Sequence, residues 1–487
     1  MYVEFVEAYD NISTMKNNLA LQTISTELSE DLLNRSILQV CTEVDRPIVK
    51  IPKKRKKRQT IYEKSCKRTF YQLVPKSILD NYANIENRIK PLVACYKKEY
   101  LIQILTIVAR HLRRDGGMAK LYMKYLKKQV PQGNEYILAL IDNKILQRSD
   151  YYIQGLKSFE YSFCADYQDE YIEVELADRA LINRLAALSI RIKRDNAKSL
   201  LGHTRQAKYL QLLTIDPKFF IEYMNNCPIV DIEKKNCIIA SASRITNHDF
   251  NCSRDSTSKR LHSNVTNMKT ELRRYLRVEG EPLTNIDIKN SQPYLSTLLL
   301  TNPRKVAFLA KDPDLGALLK SMKSVDSEDV KRYISLVTSG VFYDYLVDEF
   351  KKSGLILTRD ETKPKVLLIF FSDDKAIYNN IENKTREIFI ELFPTVHRQF
   401  SIIRGAGKGE NYQNFKRFAI LLQRIESYLV LDVIMKKVYR KFPTTFVMTI
   451  HDSILTVSDG AVVDTIKNMM GNDLQKFVGW PAQLKIE

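Results

Sequence analysis

The chain is poor in the residues that mark several common protein classes. Its 487 residues include one tryptophan, six histidines and seven cysteines, and no two cysteines form a CxxC or CxxH pair. This spacing supports neither a zinc site nor a disulfide framework, so we expect reduced, mostly buried thiols. No stretch reaches the roughly 18 apolar residues of a membrane span, and the N-terminus lacks a basic-then-apolar signal pattern. The sequence predicts a soluble, cytoplasmic protein with no membrane partner.

Acidic residues are also scarce relative to basic ones. Against 57 Asp and Glu the chain has 76 Lys and Arg, a formal charge of +19 and a pI near 9.3. This balance favours a polyanionic partner such as nucleic acid, although it does not identify one. The length and the 44% hydrophobic content predict two to four domains with substantial cores, at roughly 100–200 residues per domain.

The N-terminal part divides into two predicted segments. Residues 1–60 are polar and end in the basic run Lys53–Arg58, which could hold phosphates, act as a localisation signal or be a solvated linker. Residues 61–177 begin with helical spacing up to about Val130. A helix over 136–147 and two alternating strands within 151–163 follow. This arrangement resembles the helix and wing of winged-helix DNA-binding modules, and an ordinary helix with a hairpin is the alternative.

Two short β-prone segments each contain one conspicuous carboxylate. Asp287 lies in the segment 285–292 and Asp452 in the segment 447–454. A carboxylate at a strand end and another at a hairpin tip can converge on one sheet edge. There they would hold two divalent cations about 3.5–4 Å apart, the separation used for in-line phosphoryl displacement. Carboxylates suit Mg²⁺, with Mn²⁺ as a possible substitute, so this pattern predicts nucleotidyl transfer.

The residues before Asp287 extend this pattern to a family resemblance. The segment Thr257–Lys269, with Leu276 after it, is similar to the stretch that precedes the first catalytic aspartate in family A DNA polymerases. The resemblance implies that Arg260 lies in the minor groove of the primer-template, where an arginine reaches acceptors shared by all base pairs. Lys259 departs from the family, which usually has glycine at this position.

A segment between the two aspartates resembles the fingers helix of the same polymerases. The resemblance assigns Arg359 and Lys363 to the triphosphate of the incoming nucleotide and Phe371 to its sugar or base. Pro364 is tolerated mainly in a first helical turn, so Arg359 is expected near or before the start of the helix. Lys365 is then a second candidate for the phosphate role.

The last block of the resemblance is an amphipathic helix starting at Gln423 and a strand–turn–strand segment up to Val457. By resemblance, Gln423 and His451 contact the primer-template and Asp452 binds the metal ion. Ser453 differs from the glutamate usual in DNA polymerases and matches phage-type single-subunit RNA polymerases. At the position where the DNA polymerases place a glutamate that excludes a ribose 2′-hydroxyl, this chain has Gln292, which favours deoxynucleotides.

Together these patterns predict an α/β right-hand polymerase. Its catalytic domain would span residues 251–487, with an antiparallel palm sheet and helical fingers at about 301–415. Residues 178–250 would form a basic helical thumb-like region, or merely a solvated helical face. The backbone carbonyl of Ile288 would complete the metal site. Protein partners and the biological setting, whether phage, plasmid or chromosome, are not indicated.

The predicted reaction is extension of a primer 3′-hydroxyl with nucleoside triphosphates on a template. No carboxylate cluster typical of a proofreading exonuclease is evident upstream, so editing is not expected; the acids there are better explained as loop or surface residues, namely Asp142, Asp150, Asp166, Asp169 and Glu170. Two alternatives stay open. One is a single-subunit RNA polymerase or primase-like enzyme, and the other is a DNA-binding replication protein with a degenerate polymerase domain.

Overall fold

A computed structural model describes most of the chain after residue 69. The described residues are 70–112, 118–150, 152, 158–200, 202–226, 232–372, 379–405 and 416–487. The basic run Lys53–Arg58 and the rest of the 1–60 segment lie outside them. No helix in the described ranges is long and apolar enough to cross a membrane.

Two hydrophobic cores organise these residues. The first is built almost entirely from side chains between Leu73 and Leu185, and the second from side chains between Leu200 and Val478. The long helix α3, Lys98–His111, runs through the first core, and its ten residues from Tyr100 to Ala109 are all buried. A helix buried on all sides reads as a nearly continuous apolar run, as this one does.

Helices and short strands alternate around the first core. Its strands are β1 (Tyr71–Pro75), β2 (Ala119–Lys120), β3 (Leu146–Arg148), β4 (Glu160–Phe163) and β5 (Tyr171–Glu175). Strand β1 pairs with β5, and the other three form a sheet in the order β2-β4-β3. The helices besides α3 are α1 (Lys76–Asp80), α2 (Tyr82–Ile89), α4 (Met123–Gln129) and α5 (Gly133–Asp142).

One sequence prediction needs correction in this part. The region predicted to be mostly helical also contains the strand at residues 71–75. The helix predicted over 136–147 ends at Asp142 because Lys144 adopts a left-handed conformation (φ 55°), which terminates helices. Residues 146–148 then pair with β4 as an antiparallel strand.

A basic helical segment connects the two cores. It consists of α6 (Arg179–Ser199), α7 (Thr204–Tyr209), α8 (Lys218–Asn226) and α9 (Ile232–Thr246). Asp178 caps α6 by accepting a hydrogen bond from the Leu181 backbone N–H at 2.7 Å, which satisfies one of the free donors at a helix start. The basic residues predicted here are Arg191, Lys193, Arg194, Lys198, Arg205 and Lys208; they all lie on α6 or α7.

The second core contains a six-stranded antiparallel sheet. Its strands are β6 (Leu213–Ile215), β9 (Leu276–Val278), β10 (Glu281–Ile288), β11 (Val447–Ile450), β12 (Ser453–Val457) and β13 (Leu484–Ile486). They are ordered β11-β12-β10-β9-β6, and β13 pairs with the end of β10. A separate hairpin, β7 (Cys252–Arg254) with β8 (Leu261–Ser263), precedes the short helix α10 (Thr270–Arg273).

Helices fill the chain between β10 and β11. They are α11 (Ser291–Thr301), α12 (Pro313–Ser321), α13 (Glu328–Thr338), α14 (Phe342–Lys352), α15 (Arg359–Phe371), α16 (Asn380–Leu392), α17 (Pro394–Gly405), α18 (Lys416–Ser427) and α19 (Lys436–Lys441). Helix α20 (Gly460–Val478) follows β12. The amphipathic segment predicted from Gln423 is α-helical only to Ser427, and residues 428–435 are π-helical.

The predicted fold class, mixed helix with antiparallel sheet, is confirmed at that level. The predicted strand–turn–strand segment is present as β11, a two-residue turn at His451 and Asp452, and β12. The domain boundaries and the palm, fingers and thumb assignments stay predictions.

Candidate active site

The two predicted aspartates come together in the six-stranded sheet, where the C-terminal end of β10 meets the turn between β11 and β12. Strand β10 pairs with β12 in a register that sets Asp287 opposite Ser453, and Asp452 immediately precedes Ser453 at the hairpin tip. The structure thus brings together two residues that are 165 positions apart in the chain. Their roles as catalytic residues and metal ligands are a separate question, addressed below.

Both aspartates are in surroundings that disfavour their charged forms. Burial raises the pKa of Asp287, and repulsion from Asp452 and Glu487 raises it further, while the Ile288 backbone N–H opposes the shift. Burial likewise raises the pKa of Asp452, opposed by the nearby Ser291 hydroxyl and by Arg260. Two carboxylates that share a partly desolvated site repel each other unless a cation lies between them.

This donor set fits a divalent cation bound jointly by protein and substrate. The described residues contain no cluster of three or more His, Cys, Asp or Glu that could hold a metal ion. A closed all-protein site is therefore not formed there. Mg²⁺ typically takes one or two carboxylates and completes its shell with waters and substrate phosphates, which is what Asp287 and Asp452 offer. Ile288 ends β10 with its side chain buried, and the metal-binding role of its carbonyl stays a prediction.

His451, the residue before Asp452, is held as a neutral imidazole. Its backbone is in the left-handed region (φ 56°), which is strained for a non-glycine residue and recurs at functional sites. Burial lowers the pKa of His451 to about 4, and the positive charge of Arg260 and the nearby His262 add to the shift. Its Nδ1 is buried and has no hydrogen-bond partner in the described part of the chain. An uncharged ring suits hydrogen bonding to a base or sugar better than pairing with a phosphate.

A buried glutamate that the sequence analysis missed joins two of the predicted residues. Glu426, on α18, is 1% exposed. It accepts hydrogen bonds from Arg260 Nε (2.7 Å) and Nη2 (2.8 Å). It also accepts one from Gln292 Nε2 (2.5 Å). Burial raises the pKa of Glu426 to about 7, while Arg260 favours its charged form.

The Arg260–Glu426–Gln292 network borders the aspartate pair. Asp452 is close enough to raise the pKa of Glu426, and Arg260 is close enough to lower that of Asp452. Gln423 is half-buried and lies three residues before Glu426 on the same helix. The one available signal for Glu426 was a charged residue on the apolar face of an amphipathic helix, which generally indicates a buried partner.

The hairpin β7–β8 presents Arg260. Asp255 organises its turn by accepting backbone hydrogen bonds from Thr257 (2.7 Å) and Ser258 (2.6 Å). Lys259, where the polymerase family usually has glycine, adopts a left-handed conformation (φ 61°). Glycine adopts this conformation without a steric penalty, whereas a lysine is strained in it.

An ion-pair cluster anchors the same hairpin to the π-helical segment. Arg254, whose side chain is 6% exposed, donates to both carboxylate oxygens of Asp432 at 3.2 and 2.5 Å. The buried His203 lies 3.3 Å from the same carboxylate. These partners hold the pKa of Asp432 well below its usual range despite burial.

The C-terminal strand contributes charges that the sequence analysis did not identify. In the β10–β13 register Lys485 lies opposite Asp287, and its Nζ donates to Glu487 at 2.6 Å. Lys485 lowers the pKa of Asp287 and Glu487 raises it. Arg273, at the end of α10, also affects Asp452. No local motif marked these residues.

The predicted fingers helix is α15, and only its first residue is near the carboxylates. Thr358 and Glu361 form a capping box that starts the helix at Arg359. Arg359 Nε lies 3.1 Å from Asp344 and its guanidinium 5.8 Å from the ring of Tyr343. The buried Tyr343 is in electrostatic range of both Arg359 and Asp452, which locates Arg359 beside the site.

The other three residues predicted on this helix are differently placed. Lys363 lies 3.7 Å from the exposed carboxylate of Asp360. Phe371 is half-buried and packs against the second core, and Lys365 is half-buried. Within the described residues none of the three forms a hydrogen bond or an ion pair with Asp287 or Asp452. The Oγ of Ser453 donates a hydrogen bond to the carbonyl of Ile450 at 3.0 Å.

No protein-family model matches the chain, and no curated protein matches it. Among solved structures, the polymerase domain of Pol1 from M. smegmatis, in complex with DNA primer-template and dNTP, is similar with a TM-score of 0.34 and 11% sequence identity. The match covers 62% of this chain and 64% of that domain. Similarity this low does not by itself establish a common fold.

Proposed function

We propose that the chain is a template-directed nucleotidyltransferase that extends a primer 3′-hydroxyl with deoxynucleoside triphosphates. The observation that carries the proposal is the pairing of Asp287 with the hairpin tip at Asp452. Two half-buried carboxylates with raised pKa values are typical of functional sites. Their position at a strand end and a hairpin turn of one sheet, next to an arginine–glutamate–glutamine network, supports the assignment of this sheet as the palm of a right-hand polymerase.

Asp287 and Asp452 would hold the divalent cations, Mg²⁺ or Mn²⁺. When bound, these ions supply charge neutralisation at the phosphates and activation of the attacking hydroxyl. The remaining contribution of the protein is positioning and electrostatic stabilisation, as expected for phosphoryl transfer. Arg359 and Lys485, which are in electrostatic range of each other beside the site, would be the cations that meet the triphosphate.

The Arg260–Glu426–Gln292 network would set the position of the sugar and the primer end. Arg260 would contact the minor groove, and Gln292 would lie against the 2′-carbon of the incoming nucleotide. Glu426 holds both side chains through charge-assisted hydrogen bonds, which are shorter and stronger than neutral ones. His451 and Gln423 would add neutral hydrogen bonds to the primer-template.

A primer-extension assay tests the proposal directly. Purified full-length protein is given a labelled primer-template with dNTPs or with rNTPs, in Mg²⁺ or Mn²⁺, and a second set of reactions omits the primer. We expect extension with dNTPs that requires the primer. Preferential use of rNTPs, or synthesis without a primer, would instead favour the RNA polymerase or primase-like alternative.

The metal assignment is tested with Asp452→Asn and Asp287→Asn, using the exposed Asp464 on α20 as the site of a matched Asp→Asn control. Loss of several kcal/mol of transition-state stabilisation predicts at least about a thousandfold slower extension for both site variants. Their affinity for primer-template should stay within a few fold of wild type. Extension by Asp452→Asn at the wild-type rate would refute the assignment, and DNA binding without extension by the wild type would favour a degenerate polymerase domain.

A further inference from the structure

A helix outside the candidate active site has a surface typical of nucleic-acid contact. Helix α4 and the residue before it expose Tyr122, Lys124, Tyr125, Lys127 and Lys128. The three lysines are spaced at i, i+3 and i+4, so they share one helical face. The two tyrosines are three residues apart and are 66% and 38% exposed, unusually open for aromatic side chains.

The charge of this face is not compensated locally. Residues 118–134 contain four lysines and no Asp or Glu. Of these four lysines, only Lys120 forms an ion pair with a described carboxylate, that of Glu160 at 3.5 Å. No described carboxylate lies within ion-pair distance of Lys124, Lys127 or Lys128. A face of this kind attracts phosphates, whereas an ordinary solvated helix face usually alternates charges.

The neighbouring helix α5 has the opposite character. Its ten residues include Glu135 and Asp142 but no Lys or Arg, and Leu138 on its surface is 53% exposed. In helix-turn-helix proteins the second helix enters the DNA major groove, and α5 would be that helix here. Its charge opposes such docking, so any nucleic-acid contact of this module falls to α4.

A cavity of about 550 Å³ adjoins α4 and extends the basic face inwards. Tyr125 lines it together with Arg110, Lys193, Arg244 and Asn267. Asp249 is shared by two of these cations, at 3.8 Å from Arg110 and 3.3 Å from Arg244. The rest of the wall mixes apolar side chains with polar ones such as Gln103, Gln129 and Asn251. The volume is within the range of small-ligand sites and is sufficient for one nucleotide.

We propose that the exposed face of α4 and this cavity bind single-stranded nucleic acid. The lysines would contact successive phosphates, Tyr122 and Tyr125 would stack on bases, and one nucleotide would enter the cavity. Stacking needs unpaired bases, since every base then offers a free face to an aromatic ring. Such a site would guide an unpaired template strand, and its existence does not depend on the chemistry assigned to the aspartates.

The test measures binding of the full-length chain to a labelled oligothymidylate and to a duplex of equal length, by fluorescence anisotropy without nucleotides or Mg²⁺. The triple substitution of Lys124, Lys127 and Lys128 to Gln is compared with a matched triple Lys→Gln variant at Lys320, Lys323 and Lys351, which are also exposed. Loss of three phosphate contacts should reduce the log–log salt slope on single strands by about 2. The affinity for single strands should fall more than tenfold, and the control should bind as wild type.

Tyr122→Ala should weaken single-strand binding roughly tenfold with an unchanged salt slope, because stacking releases no counterions. An oligonucleotide with 5-iodouracil should crosslink to Tyr122 or Tyr125 on irradiation, which tests the site without a substitution. Equal losses in the two triple variants, or crosslinks only elsewhere in the chain, would overturn the proposal. So would a preference for the duplex that depends on the α4 lysines. Failed primer extension with intact single-strand binding would count only against the proposed enzymatic function.

Discussion

The aspartate pair should make the metal-free protein less stable than an Asp287→Asn variant at neutral pH. Burial and the neighbouring charges raise the pKa of Asp287 to about 7 from an ordinary 3.8. A pKa rise of this size corresponds to about 4 kcal/mol of stability. Since the residue is only partly buried, solvent screening reduces this, and about 2 kcal/mol is a reasonable expectation. Asparagine is nearly isosteric and removes the charge.

The sign of the pH dependence follows from the raised pKa. Below about pH 4 the carboxyl is protonated in both the folded and the unfolded chain, so it costs nothing. Between about pH 4 and 7 the unfolded chain loses this proton first, and the wild type loses stability relative to the variant. Urea denaturation at pH 5 and pH 8 should therefore show a gain for Asp287→Asn at both values, with the larger gain at pH 8.

Added Mg²⁺ should remove most of this difference in stability. A ligand at ten times its Kd stabilises the folded state by about 1.4 kcal/mol, and the wild type should gain this much. Asp287→Asn and Asp452→Asn should gain little, and the exposed control Asp464→Asn should match the wild type throughout. Lower stability of Asp287→Asn at pH 8 in the absence of metal, or equal stabilisation of all variants by Mg²⁺, would refute the electrostatic reasoning.

Three further predictions concern the surroundings of the pair. Glu426→Gln should lower the preference for dNTPs over rNTPs by about tenfold in single-nucleotide insertion assays, because Gln292 loses its charged acceptor; unchanged discrimination would argue against the network. Asp432→Asn should cost about 3 kcal/mol in urea denaturation at pH 7, since it leaves the buried Arg254 without its carboxylate partner, and the cost should decline as the pH falls below about 4. Arg359→Gln should raise the KM for the nucleotide about tenfold and Lys363→Gln much less, because only Arg359 lies beside the carboxylates; equal effects would contradict this placement.

Local sequence patterns were sufficient for strand β10, which carries Asp287, and for the β11–β12 hairpin, whose turn carries Asp452. The segments around Asp287 and Asp452 contain alternating or continuous β-branched residues next to turn-forming ones, and such patterns depend only on near neighbours. The helix boundaries at Asp142 and the π-helical turn after Ser427 were not predictable in this way. A single left-handed residue and an irregular turn leave almost no trace in hydrophobic periodicity.

Long-range pairings explain what the sequence could not reveal about the site. Glu426 and Arg260 are 166 positions apart, and neither belongs to a motif that names its partner. Strand β13 has only three residues, two of them exposed, so it has no clear strand signal of its own. It becomes a strand because the free edge of β10 accepts its backbone hydrogen bonds, and only this tertiary contact brings Lys485 and Glu487 to Asp287.

The register of β10 links the stability of the second core to the chemistry of the site. Ile286 and Ile288 are 0% and 2% exposed and face the core, so the residue between them must face the opposite side of the sheet. A slip of one residue would bury Asp287 and expose both isoleucines. The same apolar contacts that fold the sheet therefore fix the carboxylate opposite the hairpin tip, and the site needs no separate device to hold Asp287 beside Asp452.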